Sequence, residues 1–210
     1  MQGVRTLHLL SLYDNIRKLK QGRNFMSQQI STSNLRKTVH CALFTALIII
    51  GAYISIPIPV GPVPIALADF FVMLTGLFMG AKYGMLIVIL YLALGILGMP
   101  VFSSGGAGLA FILGPTGGFL MGYLPLVTVI GFSTPKQSYS LIRTLIGIVI
   151  GNIFLYALGI IWLRMSLDLS WGLSIASGLT PFLPGTIIKI IVALGISRTL
   201  VPAFKEKMNK

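Results

Sequence analysis

The 210-residue chain is 55% hydrophobic and only 10% charged, with a mean hydropathy of +0.92, whereas soluble domains carry about 25% charged residues. A soluble core of this length has no room for so many consecutive apolar residues, so the chain is read as an integral membrane protein of one domain. The net charge of +12 does not point to nucleic acid, because the basic residues stand beside the spans, where membrane proteins keep them.

Residues 1–37 form a basic tail, with Arg5, Arg17, Lys18, Lys20, Arg23, Arg36 and Lys37 against the single acid Asp14. No apolar segment precedes a small-residue cleavage site, so the tail is not expected to be a cleavable signal peptide, and Met26 is a second candidate start. The first span is expected over 38–56. It holds the only cysteine, Cys41, which rules out an intramolecular disulfide. Pro57, Pro59, Pro62 and Pro64 then forbid a continuous helix and predict a stiff outer loop.

Spans two and three are expected over 63–80 and 83–98, with Lys82 at the turn between them. The segment 99–123, MPVFSSGGAGLAFILGPTGGFLMGY, is rich in glycine, holds two prolines and carries no charge. Irregular backbone at membrane depth survives only where it is buried in protein or lines a cavity. One reading makes 100–114 an ordered lid over a ligand site; the other is an outer loop whose glycines serve turns. Span four follows over 114–132. Lys136 and Arg143 flank the entry to span five, 141–163. Arg164 and Asp168 fall in the next loop, span six covers 179–196, and 201–210 is a basic end.

With both termini in the cytoplasm, this six-span arrangement puts fourteen of the sixteen basic residues inside, as the positive-inside rule requires. An all-α bundle of six transmembrane helices results, with ordered outer loops after helices one and three.

Two ionisable residues lie within spans, Asp69 and Lys189. Each costs about 2.5 to 3.5 kcal/mol even on the mild insertion scale and so calls for a cavity or a partner. Snorkelling is the competing reading for Lys189, and a hydrated outer position for Asp69. Thr186 and Lys189, at i, i+3, share a face of span six, and Asn152 and Tyr156, at i, i+4, share one of span five. They form a candidate polar set for a small ligand, or else glue between helices. Ala42 and Ala46 make a small-xxx-small face on span one. His8 and His40 have no HExxH, CxxC or catalytic serine beside them, and no phosphate-binding GxxxxGK[ST] exists. Four acids in the chain favour neither a metal site nor a paired-carboxylate enzyme. Binding or transport is expected over catalysis, with energy supplied from elsewhere.

The segments ISIPIPVGPVP at 54–64, LGILGMPVF at 94–102, LGPTGGFLMGY at 113–123 and TPFLPGTIIK at 180–189 resemble BioY, the biotin-specific substrate-binding S component of energy-coupling factor transporters. The resemblance covers 38 to about 200. It implies a vitamin site near the outer face under the loops after spans one and three, with Phe102, Ser103, Ser104, Gly105 and Gly106 closing over it. It also implies association with a transmembrane T component and two cytoplasmic ATPases, docked on the face of Ala42 and Ala46, although some family members are reported to act alone. Biotin is the transported ligand, and no cofactor is implied. Two positions depart from the family pattern. Thr186 stands where the span-six motif PGDxxK has its acid, and Ala68 and Asp69 stand where span two has glutamine and a small polar residue. One expectation is that Asp69 assumes the acidic role; the other is that the ligand is a biotin relative or precursor. A self-sufficient facilitator and an S component for another vitamin are the rival functions, and an intramembrane enzyme is the least favoured.

Overall fold

The chain enters its described part as a helix that prolines bring to an end, and a small hairpin follows. The computed structural model describes residues 32–57, 61–134 and 139–209. The basic tail before Thr32, the Met26 start and Lys136 lie outside these. Two units separate, 1–39 and 40–210; the first is represented by the opening turns of the first helix, and all that follows concerns the second.

Helix α1 spans Thr32–Tyr53. Strands β1 (Ser55–Ile56) and β2 (Ile65–Ala66) then pair antiparallel, Ser55 opposite Ala66 and Ile56 opposite Ile65. The expected outer loop is therefore pinned at its base by a two-residue ladder, and Pro57 and Pro64, next in line on the two strands, cannot extend it because proline lacks the donor. Leu67 N donates to the Gly51 and Ile54 carbonyls at 3.0 Å each, closing the hairpin onto the end of α1.

Helix α2, Ala68–Ile96, breaks at Gly80 (φ 71°, ψ −179°), a conformation that glycine alone adopts without strain. A Cβ on Gly84 would stand 3.8 Å from the Gly76 Cα, although eight residues of straight helix span about 12 Å. The two halves thus lie side by side. The turn expected at Lys82 is made two residues earlier, because backbone geometry fixes the reversal and the charge only follows it. Beyond α2 come a 3₁₀ turn at Ser103–Gly105 and helices α3 (Leu109–Leu113), α4 (Gly117–Ser133), α5 (Leu141–Leu167), α6 (Trp171–Gly178) and α7 (Leu183–Asn209).

Three boundaries differ from expectation. Arg164 is in the last turn of α5 rather than in a loop, with its guanidinium 4.7 Å from the centre of the Trp171 ring, and Asp168 caps the helix in the left-handed region. Helix α6 occupies the stretch expected as a loop between spans five and six, and the Ser170 hydroxyl accepts from Leu173 N at its start. Helix α7 starts at Leu183 and continues past Ile196, with Pro184 in the first turn, where no intrahelical donor is lost.

Helices α4 and α5 meet through small residues. A Cβ at Gly122 would lie 2.9 Å from Leu155, and one at Gly159 would lie 2.4 Å from Phe119, so glycine permits close approach. Leu35–Tyr53, Ala68–Ile96, Leu141–Leu167 and Leu183–Phe204 are long and apolar enough to cross a membrane, and α4 is a shorter apolar helix. Ile142, Ile153, Ile187, Ile188 and Ile191 turn outward. An outer surface this apolar belongs in lipid, and the chain is a multi-pass membrane protein.

Candidate functional site

Charge inside an apolar bundle needs a partner, and here two expected residues supply one another. Lys189 Nζ lies 2.6 Å from Asp69 Oδ1, with both side chains 11% exposed. The same ammonium donates to the Ala66 carbonyl at 2.7 Å. Lys189 is therefore turned inward and does not snorkel. Asp69 sits in the first turn of α2, directly after β2, so the hairpin places both acceptors within reach of α7.

The pair lines a cleft that is partly open to solvent. Its walls are apolar: Phe119, Leu120 and Tyr123 from α4, Leu155 from α5, Phe182 before α7, Phe111 from α3, and Val63 and Pro64 from the hairpin loop. Phe119 and Phe182 stack with centroids 6.0 Å apart. Tyr156 also lines the cleft, and its hydroxyl shares a hydrogen bond with the buried Thr186 hydroxyl at 2.5 Å, tying α5 to α7. Mostly apolar walls with a few fixed polar groups are what small-molecule sites require. Beside it lies a second, open cleft, lined by Pro57, Gly61, Pro62 and Ser104, and by Pro64, Ser103, Phe111 and Thr116, which border both.

The remaining candidates are placed as follows. Ser103 faces both clefts and Ser104 the second, while Gly105 and Gly106 line neither. Ser104 occupies the left-handed region (φ 57°), and its hydroxyl is 3.1 Å from that of Ser55, joining the 3₁₀ turn to β1. The Tyr53 hydroxyl donates to the Pro100 carbonyl. Phe102 is fully buried, stacked on Phe111 at 5.2 Å and edge-on to Tyr91 at 5.5 Å, which anchors the loop from beneath. Asn152 is buried away from the cleft, donating to the Ile148 carbonyl at 2.9 Å and to Met73 Sδ at 3.5 Å. Ala42 and Ala46 are both exposed.

Sequence reasoning missed the Ala66 carbonyl, which no side-chain pattern announces, and the apolar wall. Thr116, Phe119, Leu120 and Tyr123 lie within or just after the GPTGG block, so that block was the available signal.

The model of the BioY family matches residues 25–206. The chain is 40% identical over 167 residues to a biotin transporter BioY of Thermotoga maritima, covering 79% of this chain and 96% of that one. With a biotin transporter BioY of Rhodobacter capsulatus it shares 35% over 179 residues, 79% and 93% of the two chains. Among solved structures it resembles the crystal structure of the S-component for biotin from an ECF-type ABC transporter, with a TM-score of 0.75 and 34% identity over 82% of this chain and 94% of the other. By sequence and by fold alike, the chain belongs to the BioY family.

Proposed function

We propose that this chain captures biotin at the outer face of the cytoplasmic membrane and serves as the S component of an energy-coupling factor transporter. The observation that carries this reading is the buried Lys189–Asp69 pair in a mostly apolar cleft that the hairpin loop and the 3₁₀ turn help to line. An apolar cavity with one polar pole suits a ligand with a compact polar head and a hydrocarbon chain. Lys189, Asp69, Tyr156 and Thr186 bind the polar parts of the ligand, Ser103 and Ser104 border its entry, and Asn152 and Phe102 support the site from behind. Gly105 and Gly106 give the covering loop its shape.

The reading includes six spans with both termini in the cytoplasm. The side-by-side halves of α2 support that count, as does the apolar α4. A transmembrane T component docks on the face of Ala42 and Ala46, and two ATPase subunits supply energy. The relatives named as biotin transporters support biotin as the ligand.

The test is equilibrium binding of labelled biotin to detergent-purified protein, with mass spectrometry of what co-purifies. Saturable binding that biotin displaces and riboflavin and thiamine do not is expected. Absence of binding, or displacement by another vitamin, overturns the reading. Uptake by cells that express the chain with and without T and ATPase components distinguishes an S component from a facilitator.

A further inference from the structure

Helix α6 has its polar and apolar faces reversed relative to a helix on a soluble domain. Ser174, Ser177 and Gly178 are buried, whereas Trp171 is 54% and Leu173 57% exposed, and Ile175 also turns outward. The small inward residues are held by close packing. A Cβ on Gly178 would stand 3.1 Å from Leu163, and one on Gly61 would stand 3.1 Å from the Ser177 Cβ, so the apolar face has no room to roll inward. On α5, the helix before it, a row of exposed apolar side chains that includes Ile153, Ile161 and Met165 runs to its end. Surface of this kind belongs in lipid.

Arg164 stands in that row, one turn beyond Ile161 and next to Met165. Its guanidinium lies 4.7 Å from the centre of the Trp171 ring, and its Nε is buried with no hydrogen-bond partner. Among the described residues no carboxylate, that of Asp168 included, is within ion-pair distance of it. A buried cationic donor left without an acceptor is costly, and the ring contact supplies no acceptor oxygen. A guanidinium has five N–H donors in a fork that matches phosphate oxygens. Tryptophan, for its part, concentrates at the level of the lipid headgroups.

We propose that Arg164 and Trp171 form a binding site for the phosphate of a membrane phospholipid, in the leaflet against which α6 rests. The phosphodiester oxygens accept from the Arg164 guanidinium, the Trp171 ring sits at headgroup depth, and the acyl chains lie along Leu173, Ile175 and the exposed row of α5. The lipid is chosen over a soluble anion because the charge stands at the edge of an apolar face, which free phosphate cannot cover.

The experiment is native mass spectrometry of the delipidated, detergent-purified chain titrated with dioleoyl phosphatidylglycerol, with dioleoylglycerol, which keeps the chains and lacks the phosphate, and with glycerol 3-phosphate, which lacks the chains. Wild type is expected to bind phosphatidylglycerol more tightly than dioleoylglycerol, and glycerol 3-phosphate is expected not to displace it. Arg164→Gln is expected to weaken phosphatidylglycerol binding tenfold or more, the usual effect of losing charge-assisted hydrogen bonds, and to leave dioleoylglycerol binding as it was. Should Arg164→Gln not stay monodisperse, Arg164→Lys and Trp171→Ala are each expected to weaken the phospholipid several-fold. A second measurement uses Trp162→Phe, which leaves Trp171 as the only tryptophan: in vesicles of phosphatidylcholine brominated near the glycerol end of its chains, Trp171 fluorescence is expected to be strongly quenched. Phosphatidylglycerol affinity within two-fold of wild type in the variants, dioleoylglycerol bound as tightly as the phospholipid, displacement by glycerol 3-phosphate, or unquenched Trp171 would each overturn the proposal.

Discussion

Lys189 and Asp69 are 120 residues apart in the chain, and their charged atoms stand 2.6 Å apart in the bundle. Among the described residues each is the only charged partner the other has, and the ammonium's second contact is the backbone of β2. One side chain of α7 therefore holds together the last helix, the start of α2 and the hairpin.

Removing one member leaves the other charged and buried. Lys189→Met is expected to destabilise the protein by about 3 to 5 kcal/mol, as for other broken buried pairs, and to abolish biotin binding. Lys189→Met/Asp69→Asn is expected to regain most of that stability without regaining affinity. Thermal unfolding in detergent and binding isotherms on the two variants provide the check.

The Tyr156–Thr186 hydrogen bond joins α5 to α7 beside that pair. Tyr156→Phe is expected to cost about 1 kcal/mol in stability, the usual net value of such a bond, and to weaken biotin binding several-fold. Thr186→Val should cost about the same, and the double variant little more than either, because both remove one interaction. Additive losses in unfolding experiments would contradict this.

Gly95 is where α2 meets the loop anchor: a Cβ there would lie 1.9 Å from Phe102 Cζ. Gly95→Ala is expected to destabilise by about 1 to 3 kcal/mol through overpacking and to weaken ligand binding as Phe102 displaces the turn above it. Trimming the ring in Gly95→Ala/Phe102→Leu is expected to restore part of both, measured by melting temperature and dissociation rate.

A bulky face on α1 is expected to separate capture from transport. Ala42→Leu/Ala46→Leu adds volume at two exposed positions, so biotin binding by the purified chain should be unchanged while uptake in cells with T and ATPase components falls. Equal loss of both would place these alanines in the ligand site instead.

The charged part of the site was legible in the sequence because ionisable residues are costly in a bilayer and stand out against apolar neighbours. Lys189 and Asp69 could be singled out without knowing that they meet, since contact across 120 residues depends on how the helices pack. Spacing alone put Asn152 and Tyr156 on one face, yet a helix face is wide, and packing turns Asn152 to Met73 and Tyr156 to the cleft. Phe119, Leu120, Leu155 and Phe182 gave no contrast, being apolar residues in apolar segments. The hairpin escaped because two-residue strands are too short for any periodicity. Gly80 shows the opposite case: a glycine beside a lysine at the end of an apolar run marked a reversal to within two residues.

The contact between Lys189 and the Ala66 carbonyl has a consequence for biogenesis. Asp69 emerges from the ribosome well before its counter-charge, and until α7 is synthesised the nascent chain holds a carboxylate with nothing to neutralise it. The hairpin, already closed by its own ladder and by Leu67 N on the end of α1, gains its clasp to the last helix only then. A chain cut short before α7 would lack both, leaving an uncompensated acid as a flag for membrane quality control.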